Sequence, residues 1–186
     1  MKRFHTLCAC LLLLSGIAFA QAAKPAEPKT VSQVLDRSLT NVENEFVPTA
    51  DAMPEGKYSF VPTTGEFKGV RTFAQQVKHV AAVNYILGAA ILGEKSPVDT
   101  GGENGPDSVK SKADVIKYLK DSFAYLHKAT LSVNENNLVA PIQNPFGEGT
   151  ATRLALATGA VGHCFDHYGQ IIEYLRLNGI IPPASR

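Results

Sequence analysis

Cysteine is scarce in this chain, with three residues in 186, and Cys8 and Cys10 sit together in an apolar N-terminal stretch. That stretch, "LCACLLLLSGIAFA", follows Lys2 and Arg3 and ends in the small residues Ala18, Ala20 and Ala22. A basic start, a short apolar run and an A-x-A-like end are the pattern of a cleaved secretory signal, here residues 1–22. Long apolar runs are also lacking. About 20 residues are needed to cross hydrocarbon, and this run stops short, which argues against an anchor. No cysteine follows it at a lipoprotein-like cleavage point. Once it is removed Cys164 stands alone, and one cysteine excludes an intramolecular disulfide even in an oxidising compartment.

Excess charge of either sign is missing as well. Of the 18 basic residues, Lys2 and Arg3 leave with the signal, so 16 face 17 acidic ones. A balanced surface offers no electrostatic footprint for nucleic acid or anionic lipid. The partner expected is a small-molecule substrate or ligand, with a homodimer left open and no stable membrane span after cleavage. A phosphate-binding loop is excluded too. The glycines of "GEKSPVDTGGENGPD" lack the Gly-Lys-Ser/Thr ending that would hold a nucleotide.

What remains is helical. After a short proline-containing tether, residues 23–30, residues 31–186 read as one domain of four helices, since no strand-like alternation competes. The first spans about 31–46, with Val31, Val34, Leu35, Ser38, Val42 and Phe46 on one stripe. The second starts at a capping box, Thr72 with Gln75, and runs through "FAQQVKHVAAVNYILGAAIL", apolar on most sides and so well buried. The third starts at Ser111 with Asp114 and carries Val115, Leu119, Phe123, Leu126 and Leu131 on or beside one face. The fourth runs from about 150 to 177 and stops at "NGIIPP", where Asn178 and Gly179 suit a left-handed cap. The expected fold is an all-α four-helix bundle with long crossover loops.

Two helices then carry histidine on apolar stripes. On the last, Leu156, Ala160, His163, His167 and Tyr174 fall together; on the second, Gln76, His79, Val83, Ile86 and Ala90 do. Residues four apart share a helical face at about 5–6 Å. Two imidazoles so placed can converge on one ion at roughly 2.0–2.1 Å, with a third from a facing helix leaving coordination positions open. His79 is the better third candidate, because His127, beside Lys128, reads as a surface histidine. Asp166 is a candidate acceptor for the free ring nitrogen of His163, or simply a solvated charge. Cys164 points about 100° round the helix from His163 and reads as a small buried thiol. Tyr168 and Gln170 either line the pocket or pack beside it, and Arg176 complements the helix dipole.

The H-x-x-x-H spacing, the tail "HYGQIIEYLRLNGIIPPAS", "FAQQVKHVAAVN" and "SKADVIKYLKDSFAYL" together resemble the DinB/YfiT-like family of metal-binding four-helix bundles. The resemblance spans about residues 30–185. It implies one histidine from the second helix and the pair from the last, hence His79, His163 and His167 on a divalent ion, zinc or nickel. It also implies a metal that activates a low-molecular-weight thiol, as in thiol-dependent transferases and isomerases. An exported protein does not meet the cytosolic thiol pool, so metal-dependent hydrolysis stands beside thiol transfer. A non-catalytic envelope protein binding metal or a small ligand is the alternative. Periplasmic or extracellular placement is expected.

Overall fold

The computed structural model describes Glu27 and residues 29–186; the signal-like segment and most of the tether lie outside the described residues. Four long helices dominate the described residues: α1 Val31–Ala52, α2 Phe73–Leu92, α3 Lys112–Leu131 and α4 Arg153–Leu177. Their starts follow local chemistry. The hydroxyls of Thr30, Thr72, Ser111 and Thr152 each accept the backbone N–H three residues on, and Thr72/Gln75 and Ser111/Asp114 close full capping boxes. Their ends do as well. Gly93 and Gly179 both take φ of +72°, and the following residue's N–H returns to the carbonyls of Ala89 and Leu175 respectively. That bonding satisfies otherwise orphaned C-terminal carbonyls, and a left-handed residue is what glycine supplies at least cost.

Helices α1 and α2 each pack along both α3 and α4, so α1 lies diagonally across the bundle from α2. Chain order therefore forces two diagonal crossings, residues 53–72 and 132–152, which explains why those connections are long. Leu39, Val42, Phe46, Phe73, Val77, Leu119, Phe123, Leu126, Ile171 and Leu175 fill the centre with under 2% exposure. Burying each such large apolar side chain contributes roughly 1.5–3 kcal/mol. At one point α2 and α3 approach so closely that a Cβ on Gly88 would sit 2.8 Å from the Tyr125 ring. No described helix is long and apolar enough to cross a membrane.

Three details depart from the sequence expectations. Helix α1 does not stop near residue 46 but continues through Pro48 to Ala52. The missing proline donor would have bonded the carbonyl of Asn44, which is exposed and can turn to water, while Ala50 and Met53 extend the buried stripe. That stripe runs Leu35, Leu39, Val42 and Phe46; Val34, like Leu131 on α3, faces solvent. Finally, residues 150–152 are not helical. Thr150–Thr152 (β2) pairs antiparallel with Pro141–Gln143 (β1), and α4 begins directly after it. Three-residue strands are too short to show alternation in sequence.

Candidate metal centre

His79 lies about two turns into α2, and His163 and His167 lie on adjacent turns of α4. Because α2 packs on α4, the three rings meet edge to face, with centroids 4.5–5.0 Å apart. Each offers one ring nitrogen to a common point, and those three atoms lie within 4.8 Å of one another. The Nε2 atoms of His79 and His163 are 3.1 Å apart. Two ligand atoms on a tetrahedral ion with bonds of roughly 2.0–2.1 Å stand about 3.3 Å apart, so this pair, which forms a hydrogen bond here, is close to the spacing that shared ligation needs.

The outer ring nitrogens fix the tautomers. His79 Nδ1 is 2.6 Å from the Glu103 carbonyl, which can only accept, so this nitrogen carries the proton and Nε2 presents a lone pair. His167 Nδ1 donates to Gln76 Oε1 at 2.8 Å. Gln76 Nε2 in turn donates to Gln170 Oε1 at 2.8 Å, and Gln170 Nε2 to Asp166 at 3.1 Å. This relay holds Gln76 with its oxygen toward the imidazole. His163 is held differently: its Nδ1 is buried without a partner. Against the lone pair of His79, His163 Nε2 must donate its proton; taken up by an ion, the same ring would carry that proton on Nδ1 instead.

Electrostatics favour neutral imidazoles. Burial, then the neighbouring His167, His79 and Arg71, pushes His163 down to about 3. Burial, then His79, lowers His167 to about 4, with Asp166 opposing. His79 is lowered by burial, against the opposing pull of the Glu103 carbonyl, and Arg71 adds to the lowering. Neutral rings at pH 7 are what ligation requires, since protons compete with metal for the same lone pairs.

The cluster forms one wall of a cavity of about 410 Å³ whose remaining lining is mostly apolar, Val83, Leu87, Phe146, Ala155, Leu156 and Gly159, with Glu103 as its one acidic residue. Phe146 reaches it from the turn between β1 and β2. The donor set, its tautomers and its opening onto an apolar cavity together make an arrangement that can hold a divalent ion and leave part of its coordination shell free.

Sequence reasoning brought His79, His163 and His167 to one place, and the structure does too. Of the two readings of Asp166 the structure shows the solvated one: the carboxylate is exposed, 4.0 Å from His167 Nε2 and bonded to Gln170. Cys164 is fully buried, donates to Asn84 at 3.4 Å and is raised to about 12 by burial, so it stands apart from the cluster as a thiol. His127 is not a surface residue. Its side chain is 21% exposed and is clamped between Asp36 (2.6 Å) and Glu43 (2.9 Å) of α1. Two partners of the cluster were missed. Gln76 was legible only as a polar residue on an apolar stripe, and the Glu103 carbonyl, being backbone, leaves no mark in the sequence. The Glu103 loop is pinned by Gly105, whose φ of +73° and 2.9 Å clearance from Lys78 leave no room for a side chain.

The fold and the cluster define a class, helical bundles with a three-histidine centre between two helices. The profile of the DinB superfamily matches residues 38–171, and the chain belongs to that superfamily. Among solved structures it is similar to a DinB-like protein from Bacillus cereus, at 15% identity and a TM-score of 0.66, covering 83% of this chain and 96% of that one. It is also similar to a conserved protein from Enterococcus faecalis, at 18% identity and a TM-score of 0.64, covering 81% and 98%. At such identities the likeness is one of fold. None of the curated proteins matches the chain significantly.

Proposed function

We propose that this protein is an exported metal-dependent enzyme in which His79, His163 and His167 hold one divalent ion, zinc or nickel. The chemistry is hydrolysis or thiol-dependent group transfer on a small molecule. The observation that carries the reading is the tautomer lock: the Glu103 carbonyl and Gln76 hold the Nδ1 protons of His79 and His167, aiming both Nε2 lone pairs at one point beside an open cavity. Bound there, a divalent ion would supply Lewis acidity, lowering the pKa of a water or thiol so that a nucleophile exists near neutral pH.

The chain's own residues divide the remaining tasks. Val83, Leu87, Leu156 and Phe146 exclude water and receive an apolar portion of the substrate. The relay Gln76–Gln170–Asp166 orients His167 and leads from the buried ring to an exposed carboxylate. Of the two reactions, hydrolysis suits an exported setting better, because water is always present there and a reduced thiol pool is not. The second reading is a non-catalytic metal- or ligand-binding envelope protein. It is favoured by the position of Asp166, which is exposed and engaged by Gln170, so Glu103 is the only acidic residue lining the cavity.

Elemental analysis of purified mature protein tests the centre. About one equivalent of a divalent transition metal is expected, and a His163→Ala/His167→Ala variant should carry almost none. Equal metal in both would sink the proposal. Intact-mass measurement on envelope-fraction protein tests export: a mature N-terminus near Gln21 or Ala23 is expected, and retention of Met1 through Ala20 would mean the segment is an anchor.

A further inference from the structure

Behind the histidines lies a second cavity, of about 700 Å³, lined by Arg71, Gln75, Gln76, Asn104 and Gln170 together with Gly69 and Val70. Its character is the reverse of the first. The side chains are neutral amides plus one guanidinium, and no carboxylate lines it. Arg71 is half-buried, and its Nε is shut off from water without a hydrogen-bond partner. Among the described residues no acid lies within ion-pair distance of Arg71, and its one side-chain contact is a long 3.4 Å approach from Nη2 to Asn104 Oδ1. A partly desolvated cation with no counter-charge is an unfavourable arrangement unless something else supplies the anion.

The position is also built. The Arg71 carbonyl accepts the Tyr174 hydroxyl at 3.0 Å, and the next residue, Thr72, caps α2. Arg71 therefore directly precedes the N-cap of a 20-residue helix, an end near which negative charge is favoured. Two of its lining residues connect to the histidines. Gln76 lines this cavity while accepting from His167, and Asn104 follows Glu103, whose carbonyl holds His79.

We propose that this cavity is a carboxylate subsite, in which Arg71, assisted by amide N–H groups, binds the acid end of a small molecule whose other end reaches the histidine centre. The guanidinium fork matches the two oxygens of a carboxylate with paired N–H···O bonds, and the surrounding amides tolerate one negative charge without a second cation. The assignment of the acid's partner end rests on the metal reading above; the acid site itself does not.

The experiment has two arms that separate these. In the first, metal-free protein is titrated with propionate, with propionamide and with inorganic phosphate while the Arg71 Nε–H resonance is followed by NMR. A saturable shift with propionate alone is expected, and it should vanish in an Arg71→Met variant that retains its helical circular dichroism. No shift with propionate, or a response to phosphate in preference, overturns the carboxylate assignment. In the second, cobalt-loaded protein is titrated with mercaptoacetate, mercaptopropionate and mercaptobutyrate against alkanethiols of equal length, read by visible absorption. At least one mercapto acid should bind about tenfold tighter than its alkanethiol, and Arg71→Met should erase the difference. Equal affinities, or a preference that survives in Arg71→Met, overturn the link between the sites. Failure to take up cobalt overturns the metal reading and, with it, the link, while the propionate arm still decides the subsite.

Discussion

At the scale of single residues, the cluster's chemistry comes from who holds each imidazole's outer nitrogen. Two imidazoles on one helix cannot surround an ion, so His79, His163 and His167 must act as a unit. Replacing any one with Ala should sharply lower metal content after dialysis. His127→Ala and Cys164→Ser should leave it near one ion per chain, since His127 is engaged on α1 and Cys164 on Asn84. Equal retention in all five variants would mean that the histidines are ordinary core residues. Gln76 gives a finer test, because it touches no ion yet sets the tautomer of His167. Gln76→Leu should weaken metal affinity by roughly 10–100-fold with all three ligands intact, whereas Gln76→Glu, which keeps an acceptor, should lose much less. Competition titration against a chromophoric chelator measures both. Identical affinities in the two variants would show that the acceptor is not what orients the ring.

At the scale of elements, α1 and α3 are joined by more than apolar contact. His127 spans from α3 to Asp36 and Glu43 of α1, and the bond to Glu43, with that to Asp36, raises its pKa above 6.5 despite burial. A raised folded-state value means that the imidazolium stabilises the fold fully below the unfolded value, about pH 6.5, and that this contribution fades as pH rises through the folded value. His127→Gln should therefore cost on the order of 2 kcal/mol near pH 6 and clearly less near pH 9. Urea unfolding of both proteins at the two pH values measures it, and a pH-independent difference would mean that His127 contributes by packing alone. This clamp was illegible in the sequence, where Lys128 beside His127 suggested a solvated face; the acids that bury it are 84 and 91 residues away. By contrast, the capped starts of α2 and α3 and the stop of α4 were legible, because capping chemistry is local. The continuation of α1 past Pro48 was not, since it depends on Ala50 and Met53 finding a core that only the folded bundle provides. The β1–β2 hairpin, and with it Phe146 at the cavity, escaped because its three-residue strands are too short to show alternation.

At the scale of the molecule, the question is whether the bundle needs its ion. The three histidines were legible because isolated imidazoles on apolar stripes are costly unless something engages them. Their partners were not, since one is a backbone carbonyl and another an amide whose orientation a relay decides. Nothing in the apolar core depends on the cluster, however. Phe46, Phe73, Phe123, Leu126 and Ile171 are fully buried among side chains of all four helices, and the Asn84 amide is satisfied by Ser122 and Cys164 without reaching the histidines. A zinc finger unfolds when its metal is withdrawn because metal binding is its folding energy. Here the metal should add to a fold that already stands, by the linkage that any ligand of the native state provides. At a free-ion concentration a hundredfold above the dissociation constant that is about 2.7 kcal/mol. For a chain of this size the equivalent fall in melting temperature on chelation is about 5–10 °C. Far-UV circular dichroism at 25 °C should change little when chelator is added, while the thermal transition moves down and returns on adding back metal. Collapse of the helical signal at 25 °C would show instead that the ion is structural, and a centre whose open positions serve chemistry would no longer describe it.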